Sequence, residues 1–137
     1  MYSNVTSAFC SVKLEAENLY NLKSNPFLLV KDCGDKQTVV LPKQIVISFY
    51  PQTIKYNINT ADFRIFLGNT DIYKFDMTSF FNEKMQNKSL LISSPKWPDF
   101  TNINDLYGQV FLKNIGKVDI SAGNGFFIIS TWYGAFS

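Results

Sequence analysis

Glu15 and Glu17 are the nearest approach to a catalytic pair in this chain. In an extended segment, carboxylates two residues apart share a face, and an acid and a base on one face suit glycoside hydrolysis. The plainer reading is a solvated strand margin. No histidine occurs anywhere, which removes the side chain most used for proton transfer near neutral pH. It also excludes Ser-His-Asp and Cys-His arrangements, so Ser93, Ser94 and Ser121 have no imidazole to activate them. Asp32 with Asp35, and Asn102, Asn104 and Asp105, supply the oxygens that hard cations take. They match no EF-hand spacing, and Asn and Asp are ordinary turn residues. Cys10 and Cys33 are too few for a zinc site, which needs about four soft or imidazole ligands. They read as small buried hydrophobes or as one disulfide. Gly123-Asn124-Gly125 is too short and too hairpin-like to cradle a phosphate. The expectation is a non-enzyme with no catalytic residue, no metal and no cofactor.

Aromatic side chains are the remaining candidates. They make up 16% of the chain, and phenylalanine dominates them. Most should fill a core, but aromatic residues also anchor interfaces and stack on sugars. Six stand out: Trp97, Phe100 and Tyr107, then Trp132, Tyr133 and Phe136. Trp97 lies in a loop between Pro95 and Pro98, with little core to enter. For Trp132 and Phe126 the ordinary expectation is a core-facing orientation, with Tyr133 half-exposed.

Charge narrows the partners. Thirteen basic and eleven acidic residues leave a net charge of +2, with the signs interspersed. Nucleic-acid binding by counterion release needs a clustered basic patch, and none is present. Arg64 is the sole arginine, so guanidinium forks for phosphates or bases are also missing. No run approaches the ~18 apolar residues that cross a bilayer, and residues 1–6 lack the features of a secretory signal. Synthesis in a cytoplasm, with no membrane and no nucleic-acid partner, is the expectation.

The elements that must carry these residues are short and extended. Strand signals run over Phe9 to Leu14, Leu19 to Leu22, Phe27 to Val30, Gln37 to Leu41 and Gln44 to Tyr50. Pro42 must mark an edge, a bulge or a break. Thr53 to Ile58 follows, with Ile54, Tyr56 and Ile58 on one face at period two. Then come Phe63 to Leu67, Ile72 to Phe75, Ser89 to Ser93, Leu106 to Lys113 and Phe126 to Tyr133. A single helix is expected at Ser79 to Asn87, where Phe81 and Met85 stack at i, i+4. Short alternating strands with frequent turns predict an all-β fold, an antiparallel β-sandwich or jelly-roll-like barrel with at most one short helix. The 137 residues fit one domain, 1–137, able to bury about two-thirds of its unfolded surface. In the last strand Phe126, Ile128 and Trp132 share one face, and Phe127, Ile129 and Tyr133 the other. Both faces are apolar, so the strand should be covered on both sides.

Two stretches carry a resemblance. Leu22-Lys23-Ser24-Asn25-Pro26-Phe27-Leu28-Leu29-Val30 precedes a turn at Gly34, and Leu106 through Phe136 closes the chain on a Trp132-Tyr133 strand. Together they resemble the small structural proteins of tailed bacteriophages, of the capsid- or tail-associated β-sandwich type. Lys31-Asp32-Cys33-Gly34-Asp35 departs from the alanine- and glycine-rich loop usual there. The resemblance implies a virion protein made in the bacterial host cytoplasm, with other virion proteins as partners and homo-oligomerisation, and no catalytic residues. It is consistent with a capsid decoration or auxiliary protein, a head-fibre subunit or a tail subunit. The alternative is a carbohydrate-binding module on a receptor-binding appendage, with Trp97, Trp132 or Tyr133 stacking on sugar rings.

Overall fold

The alternation seen in the sequence becomes two antiparallel sheets. A computed structural model describes residues 5–30, 39–57, 61–75, 87–93 and 109–136. In chain order the elements are β1 (Val5–Leu14), α1 (Ala16–Tyr20), β2 (Phe27–Val30), β3 (Val39–Tyr50), β4 (Phe63–Leu67), β5 (Thr70–Phe75), β6 (Lys88–Ser93), β7 (Val110–Asn114) and β8 (Phe126–Phe136). The first sheet has the order β1-β8-β3-β6 and the second β2-β7-β4-β5. First pairs with last, second with seventh, third with sixth and fourth with fifth. That nested pairing is a long hairpin rolled into two layers, which is the strand order of a double-sheet jelly roll. The all-β expectation holds, as an open two-layer sandwich.

Period-two alternation places the core between the layers. Along β8, Phe127 and Ile129 are buried, as are Ile45, Ile47 and Phe49 along β3. They face Phe63, Ile65 and Leu67 of β4 and Val110 and Leu112 of β7. Phe49 and Phe127 are cross-strand partners whose ring centroids lie 4.7 Å apart. Each such aromatic or aliphatic side chain contributes about 1.5–3 kcal/mol on burial.

Several local expectations are corrected. Leu19 to Leu22 is not a strand, because Ala16–Tyr20 forms a helical turn. The Asn18 side chain accepts the Glu15 backbone N–H at 3.0 Å, one half of a capping box. Leu19 and Leu22 anchor this turn in the core. The expected helix at Ser79 to Asn87 lies, but for Asn87, outside the described residues. The two pieces around Pro42 are one strand, with a register shift between Pro42 and Gln44. β6 is registered only against Gln44 to Phe49, so the missing proline N–H costs no ladder bond to β6.

Thr53 to Asn57 is not a strand either, and Ile58 lies outside the described residues. Only an isolated bridge joins Asn57 to Ser121, Tyr56 is buried and Ile54 is exposed. Side chains replace the ladder here. Asn124 Oδ1 accepts the Thr53 and Ile54 backbone N–H groups at 3.0 and 2.9 Å, and its Nδ2 donates to Thr53 Oγ1. Gly123-Asn124-Gly125 is therefore no hairpin turn but part of a crossover between sheets, since β7 and β8 lie in different layers. The Tyr20 and Tyr56 hydroxyls donate to the Gly123 and Gly125 carbonyls. Gly123 has φ +87°, and a Cβ there would sit 2.8 Å from the Tyr56 Cα, so no side chain is accommodated. Burial, reinforced by the neighbouring Tyr20, pushes the Tyr56 phenol well above its ordinary pKa. It stays a hydrogen-bond donor across the working pH range. At the far end of β7, buried Asn114 accepts the Asp62 and Gly116 N–H groups and donates to the Val118 carbonyl.

Candidate interaction face

The carboxylate pair does not assemble. Glu15 sits at the start of α1 with Lys13 at 3.4 Å. Glu17 instead opens onto a shallow cleft lined by Asn18, Asn21, Asn25 and Phe27. The turn thus separates two groups that an extended chain would have aligned. Among the described residues, no three His, Cys, Asp or Glu side chains gather as a metal site. Asp32, Asp35, Asn102, Asn104, Asp105 and Cys33 lie outside the described residues, and Cys10 is a free thiol. No helix among the described residues is long and apolar enough to cross a membrane.

Of the six aromatic candidates, Trp97, Phe100 and Tyr107 fall outside the described residues. Phe136 is the last residue of β8, registered against Val5 and Val39. Tyr133 is half-buried against the core. Trp132 turns the other way and is 39% exposed, so the core-facing expectation for it is overturned. Phe126 also points outward, stacked on Tyr50 at 5.1 Å. The reason is parity: Phe127 and Ile129 claim the inner face of β8, and their neighbours must take the outer one.

Trp132 belongs to a face rather than to an isolated site. Across β1, β8 and β3, one outward row reads Phe9, Trp132, Gln44. The next reads Ser11, Ser130, Val46, Leu91, and the third Lys13, Ile128, Ser48, Ser89. Phe126 and Tyr50 complete it at the end nearest α1. Phe9 is 54% and Leu91 56% exposed, and the Phe9 and Trp132 rings pack at 4.9 Å. Ser11 and Ser130 share a hydrogen bond at 3.1 Å, and Ser48 and Ser89 one at 2.8 Å. Lys13 is the one charged residue in these rows, held over the Phe126 ring at 4.4 Å as well as beside Glu15.

The outer face of the second sheet is built differently. Arg64 on β4 forks to Asp62 at 2.9 and 3.2 Å and reaches Asp71 on β5 at 2.8 Å. The hydrogen bond from Arg64, against a smaller opposing effect of burial, holds the Asp62 carboxyl below the usual carboxylate range. The Lys113 amine lies 4.3 Å over the Phe66 ring. One ring on this side is thus capped by a cation, as Phe126 is on the first sheet; among the described residues Phe9 and Trp132 carry no such cap.

Sequence reading had missed Phe9, Leu91, Val46 and Tyr50 as members of one surface. The available signal was the two-sided apolar character of β3 and β8: Val46 lies between Ile45 and Ile47 just as Ile128 lies between Phe127 and Ile129.

No protein-family model matches the chain, and no curated protein matches it. Solved structures give distant likenesses. A chain of the cyanophage Pam1 capsid asymmetric unit aligns at 10% identity and a TM-score of 0.41, covering 97% of this chain and 86% of that one. The mud crab tombus-like virus structure aligns at 10% identity and a TM-score of 0.35, over 100% and 82% of the two chains. The infectious bursal disease virus VP2 subviral particle aligns at 7% identity and a TM-score of 0.33, over 99% of this chain but 37% of that one. Likenesses this distant identify no function.

Proposed function

We propose that this chain is a non-enzymatic structural protein of a bacteriophage virion, working by protein–protein assembly as a capsid decoration, head-fibre or tail-associated subunit. The observation that carries the reading is the outer face of the first sheet. It is four strands wide, and exposed Phe9, Trp132, Leu91 and Tyr50 stand on it among serines, opposite the buried inner face of the same strands. Contiguous exposed apolar surface of this kind marks an interaction site. A double-sheet jelly roll is an architecture used by viral capsid domains, though also by lectins and cupins, so the fold alone decides nothing. The sequence resemblance to phage virion proteins points the same way. Mass spectrometry of purified particles from a host expressing this chain tests the reading. Recovery in fixed ratio to the major coat protein is the expected result, and absence from particles overturns it.

A carbohydrate-binding reading has one observation in its favour, the exposed Phe9–Trp132 ring pair at 4.9 Å. Aromatic faces of that kind stack on sugar rings. Binding on a glycan array that disappears in Trp132→Ala is what this alternative requires.

A further inference from the structure

We infer that the outer face of the first sheet is closed by a second copy of this chain, packed face to face across a two-fold axis that runs along the strands between β8 and β3. This rests on the assembly reading above and names the partner. A dyad in that position exchanges β1 with β6 and β8 with β3, so each row meets its own reverse.

In the first row the large ring of Trp132 then lies over Gln44 of the other copy. In the second row the sizes are reversed. Ser11 and Ser130 lie over the larger Leu91 and Val46. In the third they reverse again, with Ile128 over Ser48. Large side chains meet small ones through the second and third rows, as interdigitating sheets of a sandwich require, while Phe126 meets Tyr50 at the end nearest α1. A dyad perpendicular to the strands through the second row would instead set Ser11, Ser130, Val46 and Leu91 each against its own copy.

Three further properties suit a self-contact. The face is nearly uncharged: Lys13, at its margin, is already neutralised by Glu15, so two copies bring no opposed like charges to the centre. Each serine pair shares one hydrogen bond within one copy, so one of its two O–H donors is already satisfied and the other has the polar side chains of the facing copy as acceptors. The area is also sufficient. Four strands at ~4.8 Å spacing and about nine residues at ~3.3 Å rise give a footprint of roughly 500 Å². Two such faces remove roughly 1,000 Å² or more from solvent, the threshold for a specific interface.

Sedimentation equilibrium of the intact chain is the first test. The wild type should be a dimer, and Leu91→Lys and Phe9→Lys should each be monomeric with an unchanged circular dichroism spectrum. Ser130→Leu separates complementarity from simple stickiness. It adds apolar surface where Val46 of the other copy must fit, so association should weaken by about tenfold or more. Stronger association in Ser130→Leu overturns the inference. So does a monomeric wild type, or a dimer that both lysine variants leave intact. The pairing itself is read by cross-linking Ser11→Cys/Leu91→Cys, in a Cys10→Ala/Cys33→Ala background, with a bismaleimide too short to span the three strand spacings within one copy, about 14 Å. A covalent dimer is expected, and a chain that stays monomeric under cross-linking refutes the geometry. If the chain is found in particles but Leu91→Lys is incorporated and associates normally, the inference falls and the virion reading stands. If the dimer forms as described but the chain is absent from particles, the virion reading falls and the dimer stands.

Discussion

The two sheets bury the same kind of inner face and present opposite outer faces. Ile47 and Phe49 on one side of the core match Ile65 and Phe63 on the other, all at 0 or 1% exposure. Outside, Arg64 ties Asp62 and Asp71 together over the second sheet, and Lys113 caps Phe66. Over the first sheet Phe9, Leu91 and Trp132 stand open. The second sheet carries an ion-paired fork and a cation-capped ring on its outer face, whereas the first presents its largest outer side chains to solvent. Folding stability should thus depend on both sheets alike, and association on one of them.

The largest effects should be equal on the two sides. Ile47→Ala and Ile65→Ala should each cost about 2–5 kcal/mol in urea unfolding, as expected for aliphatic truncation in a packed core. A much smaller cost for Ile47→Ala would break the symmetry of the inner faces. Next comes the ion-paired surface. Arg64→Met should cost about 1–2 kcal/mol, because it removes charged hydrogen bonds and leaves two carboxylates facing each other; a thermal melt reads this directly. On the open face the same measurement should barely move. Leu91→Lys should change monomer stability by no more than about 0.5 kcal/mol, the usual range for an exposed position.

The smallest effect is a dependence on pH. Asp62 is held below its unfolded value by Arg64. Its contribution to stability is therefore complete above the unfolded carboxylate value and is lost as pH falls through the lower folded one. Wild type should lose slightly more stability than Arg64→Met over that acid range. Identical acid titrations of the two proteins would show that the fork adds nothing beyond packing.

Much of this was legible in the residues, and the failures have identifiable causes. Alternation in β8 correctly separated Phe127 and Ile129 from Phe126, Ile128 and Trp132, because side-chain direction along a strand is a local property. Which set would be inside was misjudged for Trp132 and Phe126. Residue size favours the core for a tryptophan, but register overrides size once Phe127 is locked against Phe49. Leu19 to Leu22 reads as a strand because the segment offers only two buried anchors, Leu19 and Leu22, too few to show the helical period of Ala16–Tyr20. Tyr56 and Ile54 were assigned one face, but Asn124 holds that segment through side-chain bonds about seventy residues away.

From its sequence alone the chain was determined to be all-β, with short alternating strands, no histidine chemistry and a last strand apolar on both sides. Each of these follows from residue type or from spacing within a few positions. Only the tertiary structure decided that Phe9 meets Trp132 and that Val46 lies beside both Ser130 and Leu91. Those neighbours come from strands far apart in the chain, joined when it rolls into two layers. A surface composed in that way has no local signature, because its contiguity is a property of strand pairing and not of any one strand.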